Sequence, residues 1–291
     1  MIQPSPLSFF FFNLRQGQAT DYARYFEYPK AVEMMEIEEG ESLSLLDVGS
    51  GRQGQFPLYL AAKFPQLSVC SSDPREDFTE QRLRVEALGL RASVEAGRLR
   101  FEQMDILSPV FPEAHFDRIS CISTIEHIPG DGDTAAIRNM ARLLKPGGLL
   151  VVSVPFNWYH SGEIYREEPM YSVPHSGRQS TPGDRRCFFE RVYDDPSLRQ
   201  RLVEPSGLSL EKMIYFGEPG FSFGRFIHRG YWNGDFFPRC LLKLRLIQLF
   251  IPLISPVFLK VIEASEFDAE DWSGVGLIMS LRKNVASSDV Q

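Results

Sequence analysis

The stretch LSLLDVGSGRQG at residues 43–54 decides how this chain is read. Its first half is a short apolar run and predicts a buried strand over 43–48. Its second half fits G-x-G-x-x-G at Gly49, Gly51 and Gly54. Glycines so spaced let a backbone turn sharply and approach a ligand closely. Residues 55–63 (QFPLYLAAK) then open a helix, with Pro57 acceptable in its first turn. Strand, glycine turn and helix in that order point to a ligand held beyond the carboxyl end of a strand.

The same alternation repeats downstream. Residues 67–72 (LSVCSS) predict a second strand, ending at Asp73, and 75–96 carry helical periodicity. Residues 98–104 alternate as a third strand, ending at Asp105, and 116–123 predict a fourth. A helix over 132–144 and a fifth strand over 149–154 follow, with further strands at 208–216 and 275–282. Alternating strands and helices imply a mostly parallel sheet covered on both faces. The glycine turn, Asp73, Asp105 and the segment after Ser123 would then converge at one edge of it. Upstream, residues 20–38 predict one or two helices, with Pro29 as a break or a first-turn residue. There Tyr22 and Tyr25 either cap the ligand pocket or form an aromatic core stripe.

Composition narrows the function classes. Net charge is −7, and an acidic surface repels phosphate backbones, so nucleic acid is a poor candidate partner. A small molecule, lipid or glycan fits better. The four cysteines (Cys70, Cys121, Cys187, Cys240) form no Cys-x-x-Cys pair, and the five histidines share no ligand spacing. Neither a disulfide framework nor a metal site is expected. The amino-terminal run at Phe9–Phe12 lacks a basic leader and a cleavage site, so a cytoplasmic location is expected.

An acid about 20 residues beyond a glycine turn can hold ribose hydroxyls, which suits NAD and S-adenosylmethionine alike. Asp47, two residues before Gly49, favours a cofactor with a cationic amino-acid end over a pyrophosphate, which it would repel. Leu46-Asp47-Val48-Gly49-Ser50-Gly51, Asp73, Asp105-Ile106, Ser123-Thr124-Ile125-Glu126-His127-Ile128 and Leu144-Lys145-Pro146-Gly147-Gly148 together resemble class I S-adenosylmethionine-dependent methyltransferases. The order and spacing are similar to the small-molecule branch of that family. The resemblance covers about residues 43–156.

It implies a Rossmann-like, doubly wound α/β fold with a mostly parallel seven-stranded sheet and an antiparallel last strand. It implies S-adenosyl-L-methionine as cofactor. Gly49 and Gly51 would pass beneath the methionine part, with Ser50 between them. Asp47 would organise the amino group, Asp73 the ribose, and Asp105 with Ile106 the adenine. Ser123 would offer its backbone near the methionyl end. Family loops often read G-x-G-x-G, whereas here the third glycine stands at Gly54. His127 follows the fourth strand beside the expected methyl position. It is the candidate general base for an oxygen acceptor, with packing against the cofactor as its other reading. Glu126 is read as solvent-facing or structural, with substrate binding as the other reading.

The expected organisation is a helical cap at 1–42, a cofactor-binding core at 43–156 and a substrate-lid insertion at 157–206. The fold's carboxyl-terminal part follows at 207–284, with a disordered tail at 285–291. The insertion carries Asn157, Trp158, Tyr159, His160, Tyr165, Tyr171 and His175, whose rings with polar tips suit a partly apolar acceptor or a sugar. Residues 185–203 mix arginine with acid, for anion binding or intrahelical pairing. Residues 225–262 are basic and apolar; they predict a core or dimer contact, or a peripheral membrane contact. Two rival functions stand beside methyl transfer. An NAD-dependent oxidoreductase lacks an evident Tyr-x-x-x-Lys pair here, and a non-catalytic methyltransferase-like subunit would not need such intact motifs.

Overall fold

The structure is a computed structural model that describes Phe9, Phe12 and residues 23–75, 77–167, 186–217, 259–263 and 276–285. Five strands, β1 (Ser44–Val48), β2 (Ser68–Asp73), β3 (Leu99–Gln103), β4 (Phe116–Ile122) and β5 (Leu144–Pro155), pair in parallel. Between them run α2 (Gln55–Lys63), α3 (Thr79–Ala87), α4 (Arg91–Glu95) and α5 (Gly132–Leu143). A helix, α1 (Arg24–Met34), precedes β1. The insertion contributes β6 (Gly162–Arg166) and β7 (Cys187–Val192), and β8 (Ser209–Gly217), β9 (Lys260–Val261) and β10 (Gly276–Arg282) follow.

The main sheet has the order β3-β2-β1-β4-β5-β10-β8-β9. β10 lies antiparallel between β5 and β8, as expected of the last strand. The seven anticipated strands are all present. An eighth, β9, adds a two-residue antiparallel rung to the outer edge of β8. It brings the end of the basic apolar segment, with Leu259 and Ile262 buried, onto the sheet. The rest of 225–262 lies outside the described residues, as do Tyr22, Tyr171, His175, Cys240 and all of the tail but Val285.

Period-two burial makes this a two-faced sheet. Leu45, Val69, Leu149 and Val151 face one apolar cluster with α1 and α2. Their neighbours Leu46, Cys70, Leu150 and Val152 face the other, with α5. Cys70, Cys121 and Cys187 are free and buried, as packing residues.

Several local expectations need correction. Pro29 lies inside α1 rather than ending it. The helix loses one backbone bond there. The burial of Tyr25, Ala31, Val32 and Met34 outweighs that loss, since tertiary packing supplies most of a short helix's stability. The periodic stretch 75–96 divides into α3 and α4 at Gly89, which adopts φ +68°. The arginine-rich stretch 185–203 begins as a strand: β7 pairs antiparallel with β6, so 157–206 contains a hairpin. Two of its arginines pair across the fold. Arg191 Nη1 and Arg201 Nε donate to one oxygen of Asp133 on α5 (2.6 and 2.8 Å), and Arg201 Nη2 donates to the other (2.7 Å). The Tyr193 hydroxyl completes the cluster at 2.9 Å.

Candidate cofactor and acceptor site

The strand order reverses at β1, whose neighbours are β2 on one side and β4 on the other. Such a switch point leaves a crevice beyond the strands' carboxyl ends. A pocket opens there. Its walls are the glycine turn after β1, Asp73 after β2, Met104–Leu107 after β3 and Ile122–Thr124 after β4, with His127–Pro129 at one side. The sequence-predicted residues Gly49, Ser50, Gly51, Asp73, Asp105, Ile106, Ser123 and His127 all line it.

Gly49 and Gly51 adopt φ +75° and +69°, where side-chain-bearing residues are strained. Their surroundings differ. A Cβ on Gly49 would come within 2.1 Å of the Thr124 side chain. A Cβ on Gly51 would meet nothing closer than Arg75, 3.9 Å away. Gly49 is therefore a packing glycine, and Gly51 exposes bare backbone to the pocket.

The loop is clamped by a residue that sequence reading missed. Gln81 on α3, fully buried, donates to the Gly51 carbonyl (2.6 Å) and the Ser50 hydroxyl (3.0 Å) and accepts from Ser71 (2.7 Å). A Cβ on Gly54 would meet Gln81 at 2.4 Å. The displaced third glycine thus makes room for this clamp.

Asp73 accepts the Gly51 N–H (2.9 Å) and is held by Arg75 through Nε (2.7 Å) and Nη2 (3.0 Å). Asp105 accepts the Leu107 N–H (2.9 Å), which fixes the turn carrying Ile106. Ser123 adopts φ +45°; its N–H donates to the Ser153 carbonyl (3.1 Å) and its hydroxyl to Glu27 (2.9 Å).

Asp47 stands apart. It is 3% exposed, does not line the pocket, and accepts from Ser120 at 2.6 Å. Successive strand side chains point to opposite faces, so Val48 reaches the pocket wall and Asp47 does not. Burial pushes its carboxyl up to about 7, against the Ser120 hydrogen bond and with the help of the Asp73 charge.

His127 ends a 3-10 turn (Ile125–His127). Its Nδ1 lies 2.7 Å from the Phe189 carbonyl, so Nδ1 carries the proton and Nε2 the lone pair. Burial pushes the imidazole down to about 4, and it stays neutral at physiological pH. Glu126 beside it is buried, not solvent-facing, and burial raises its carboxyl well above the usual range.

From the amino-terminal side, Arg24 and Tyr28 of α1 enter the pocket wall. Tyr25 packs into the core against Phe9 instead, with ring centres 5.5 Å apart. Among the described residues, the insertion's aromatics do not line the pocket; Trp158 packs on Phe156 and Tyr215.

Comparison with known proteins gives the family and the fold. A family described as "Methyltransferase domain" matches residues 18–206, more than half of the chain. The ubiquinone/menaquinone biosynthesis C-methyltransferase UbiE of Azotobacter vinelandii is 30% identical over 130 residues, covering 43% of this chain and 50% of that protein. The chain thus matches about half the length of this curated relative. Among solved structures, the cyclase SpnF aligns with TM-score 0.55 and 16% identity, covering 89% of this chain and 80% of that one. Coclaurine N-methyltransferase, solved with N-methylheliamine and SAH, aligns with TM-score 0.52 and 17% identity, covering 90% and 73%. These two structures share the fold.

Proposed function

The chain belongs to the methyltransferase-domain family, and from that premise we propose that it transfers the methyl group of S-adenosylmethionine to a small-molecule acceptor. One observation carries the reading. A single pocket beyond four parallel strands gathers the glycine backbone, two acids at strand ends and one neutral histidine.

The residues fit this cofactor. Bare backbone at Gly51 leaves open space for the methionine part. Asp73 supplies a carboxylate to the ribose hydroxyls, and Asp105 with Ile106 frames the adenine. Ser123 borders the methionyl end. Asp47 acts from behind the wall, through Ser120 and the charge it adds. When bound, the cofactor supplies an electrophilic sulfonium methyl. The protein supplies position and a dry surrounding.

His127 is the proposed base. Its lone-pair nitrogen is set by the Phe189 carbonyl, and it needs no prior deprotonation at neutral pH. A base this weak suits an acidic hydroxyl, of phenol or enol type, better than an alkyl alcohol. Oxygen is therefore the proposed acceptor atom. A second reading comes from the relative named a C-methyltransferase: removing the same phenolic proton also activates a ring carbon.

We assign 43–156 to cofactor binding and 157–206 to the acceptor side. A lipid acceptor met at a membrane surface through 225–262 is the finer form of the proposal. Among the described residues, no helix is long and apolar enough to cross a membrane. Incubating the protein and cell extract with methyl-labelled S-adenosylmethionine, then partitioning products, tests the proposal. Label above an Asp73→Ala control supports it. Organic-phase label favours a lipid or quinone-like acceptor, and aqueous label a soluble metabolite or glycan. No label above the control counts against methyl transfer.

A further inference from the structure

We infer that Gln81 is a positioning residue that decides which cofactor the glycine turn accepts. It locks the turn in a form whose N–H groups are drawn away from the pocket, and that form takes S-adenosylmethionine and refuses a diphosphate. The inference rests on the pocket being an S-adenosylmethionine site.

Three consecutive residues of β2 hold the turn. The Ser72 carbonyl accepts the N–H groups of Gly49 and Ser50, each at 2.9 Å. The Asp73 carboxylate accepts the Gly51 N–H at 2.9 Å. Ser71 acts through Gln81. Its hydroxyl donates to Gln81 Oε1 (2.7 Å), while Gln81 Nε2 donates to the Gly51 carbonyl (2.6 Å) and the Ser50 hydroxyl (3.0 Å). A carbonyl only accepts, so the amide nitrogen must face Gly51, and the Ser71 hydroxyl fixes the amide from its other side. Both backbone polar groups of Gly51 are thereby engaged within the protein.

Glycine turns that cradle diphosphates offer successive free N–H groups to the anion. Here the first three are already donated, and Asp73 sets a negative charge beside them. The methionine part of S-adenosylmethionine needs no such cradle; it needs room, and the space over Gly51 is open.

Gln81 also keeps the turn in one shape. Three of the six residues from 49 to 54 are glycine, which loses more conformational freedom on ordering than any other residue. Gln81 is fully buried on α3, so the core fixes its side chain and the turn is ordered before a ligand arrives. Gly54, at φ +57°, leaves that side chain its clearance.

Calorimetric titration with three ligands tests this. S-Adenosylhomocysteine carries the amino-acid chain that crosses the turn, adenosine lacks it, and ADP carries a diphosphate in its place. Gln81→Met keeps the helix and the volume but removes the hydrogen bonds. It should weaken S-adenosylhomocysteine by about tenfold or more and leave adenosine within about twofold. The wild-type protein gives a readout that needs no variant: ADP should bind it no more tightly than adenosine does. Unchanged S-adenosylhomocysteine affinity in Gln81→Met, or equal weakening of both ligands, would overturn the positioning role. ADP binding about tenfold tighter than adenosine would overturn the closed turn. Each of these results leaves the cofactor assignment intact as long as the wild type binds S-adenosylhomocysteine. A wild type that does not bind it would overturn that assignment as well.

Discussion

Asp47 stands two residues before Gly49 in the sequence, yet its carboxylate meets Ser120 behind the pocket wall. Its unfolded-state value lies near 3.8, and burial lifts the folded value to about 7. Across that window the unfolded chain releases a proton that the folded chain keeps. Asp47 therefore costs stability progressively as pH rises from about 4 to about 7, by up to about 4 kcal/mol. Asp47→Asn should gain on the wild type over this range, by a few kcal/mol. Urea unfolding of both proteins at each end of the window measures it; a constant difference would contradict the assignment. His127 shifts the opposite way, and a base neutral down to about pH 4 should show no activity loss near the usual histidine value. His127→Gln should lower kcat by about 10²–10⁴-fold. A change confined to KM for the cofactor would reassign His127 to packing. The pocket-lining residues Asp73, Asp105, Ile106, Ser123 and His127 were legible because each lies at the end of a strand with a clear local pattern or within five residues beyond it. Gln81, Arg24 and Glu27 were not. Gln81 reaches the glycine loop, Arg24 the pocket wall and Glu27 the Ser123 hydroxyl through tertiary packing, which leaves no local pattern in the sequence.

Strands announced themselves better than the insertion did. Apolar runs such as 149–154 leave few alternatives in an alternating chain, and β5 extends that run back to Leu144. The hairpin of β6 and β7 carries charged and aromatic residues on both faces, so no clean period marks it. What holds it to α5 is the buried cluster on Asp133, which is 0% exposed. Arg191, Arg201 and Tyr193 all donate to that one carboxylate. Removing one partner from a buried ionic cluster costs about 3–5 kcal/mol, because the arginine charge stays buried without a counter-charge. Asp133→Asn should lose stability on that scale and should raise hydrogen exchange in 187–193 first. A loss below about 1 kcal/mol, with unchanged exchange there, would show that apolar packing holds the hairpin instead.

For the molecule as a whole, the strand order matters more than any single motif. Reversal at β1 opens one crevice, and β10 between β5 and β8 closes the other half of the sheet around a continuous two-faced core. That architecture followed from the alternation of apolar strands and helices; the edge strand β9 did not, because two residues leave no periodic trace. The fold alone does not choose the chemistry. The neighbour SpnF is a cyclase on the same scaffold, so the ligand decides. The central claim is that this pocket takes S-adenosylmethionine rather than a dinucleotide. Titrating S-adenosylhomocysteine and NAD into the wild-type protein and Gly51→Arg tests it most directly. Saturable S-adenosylhomocysteine binding that NAD does not compete, and that the arginine side chain abolishes, is the predicted result. NAD binding at the same site, or S-adenosylhomocysteine binding unchanged by Gly51→Arg, would contradict it.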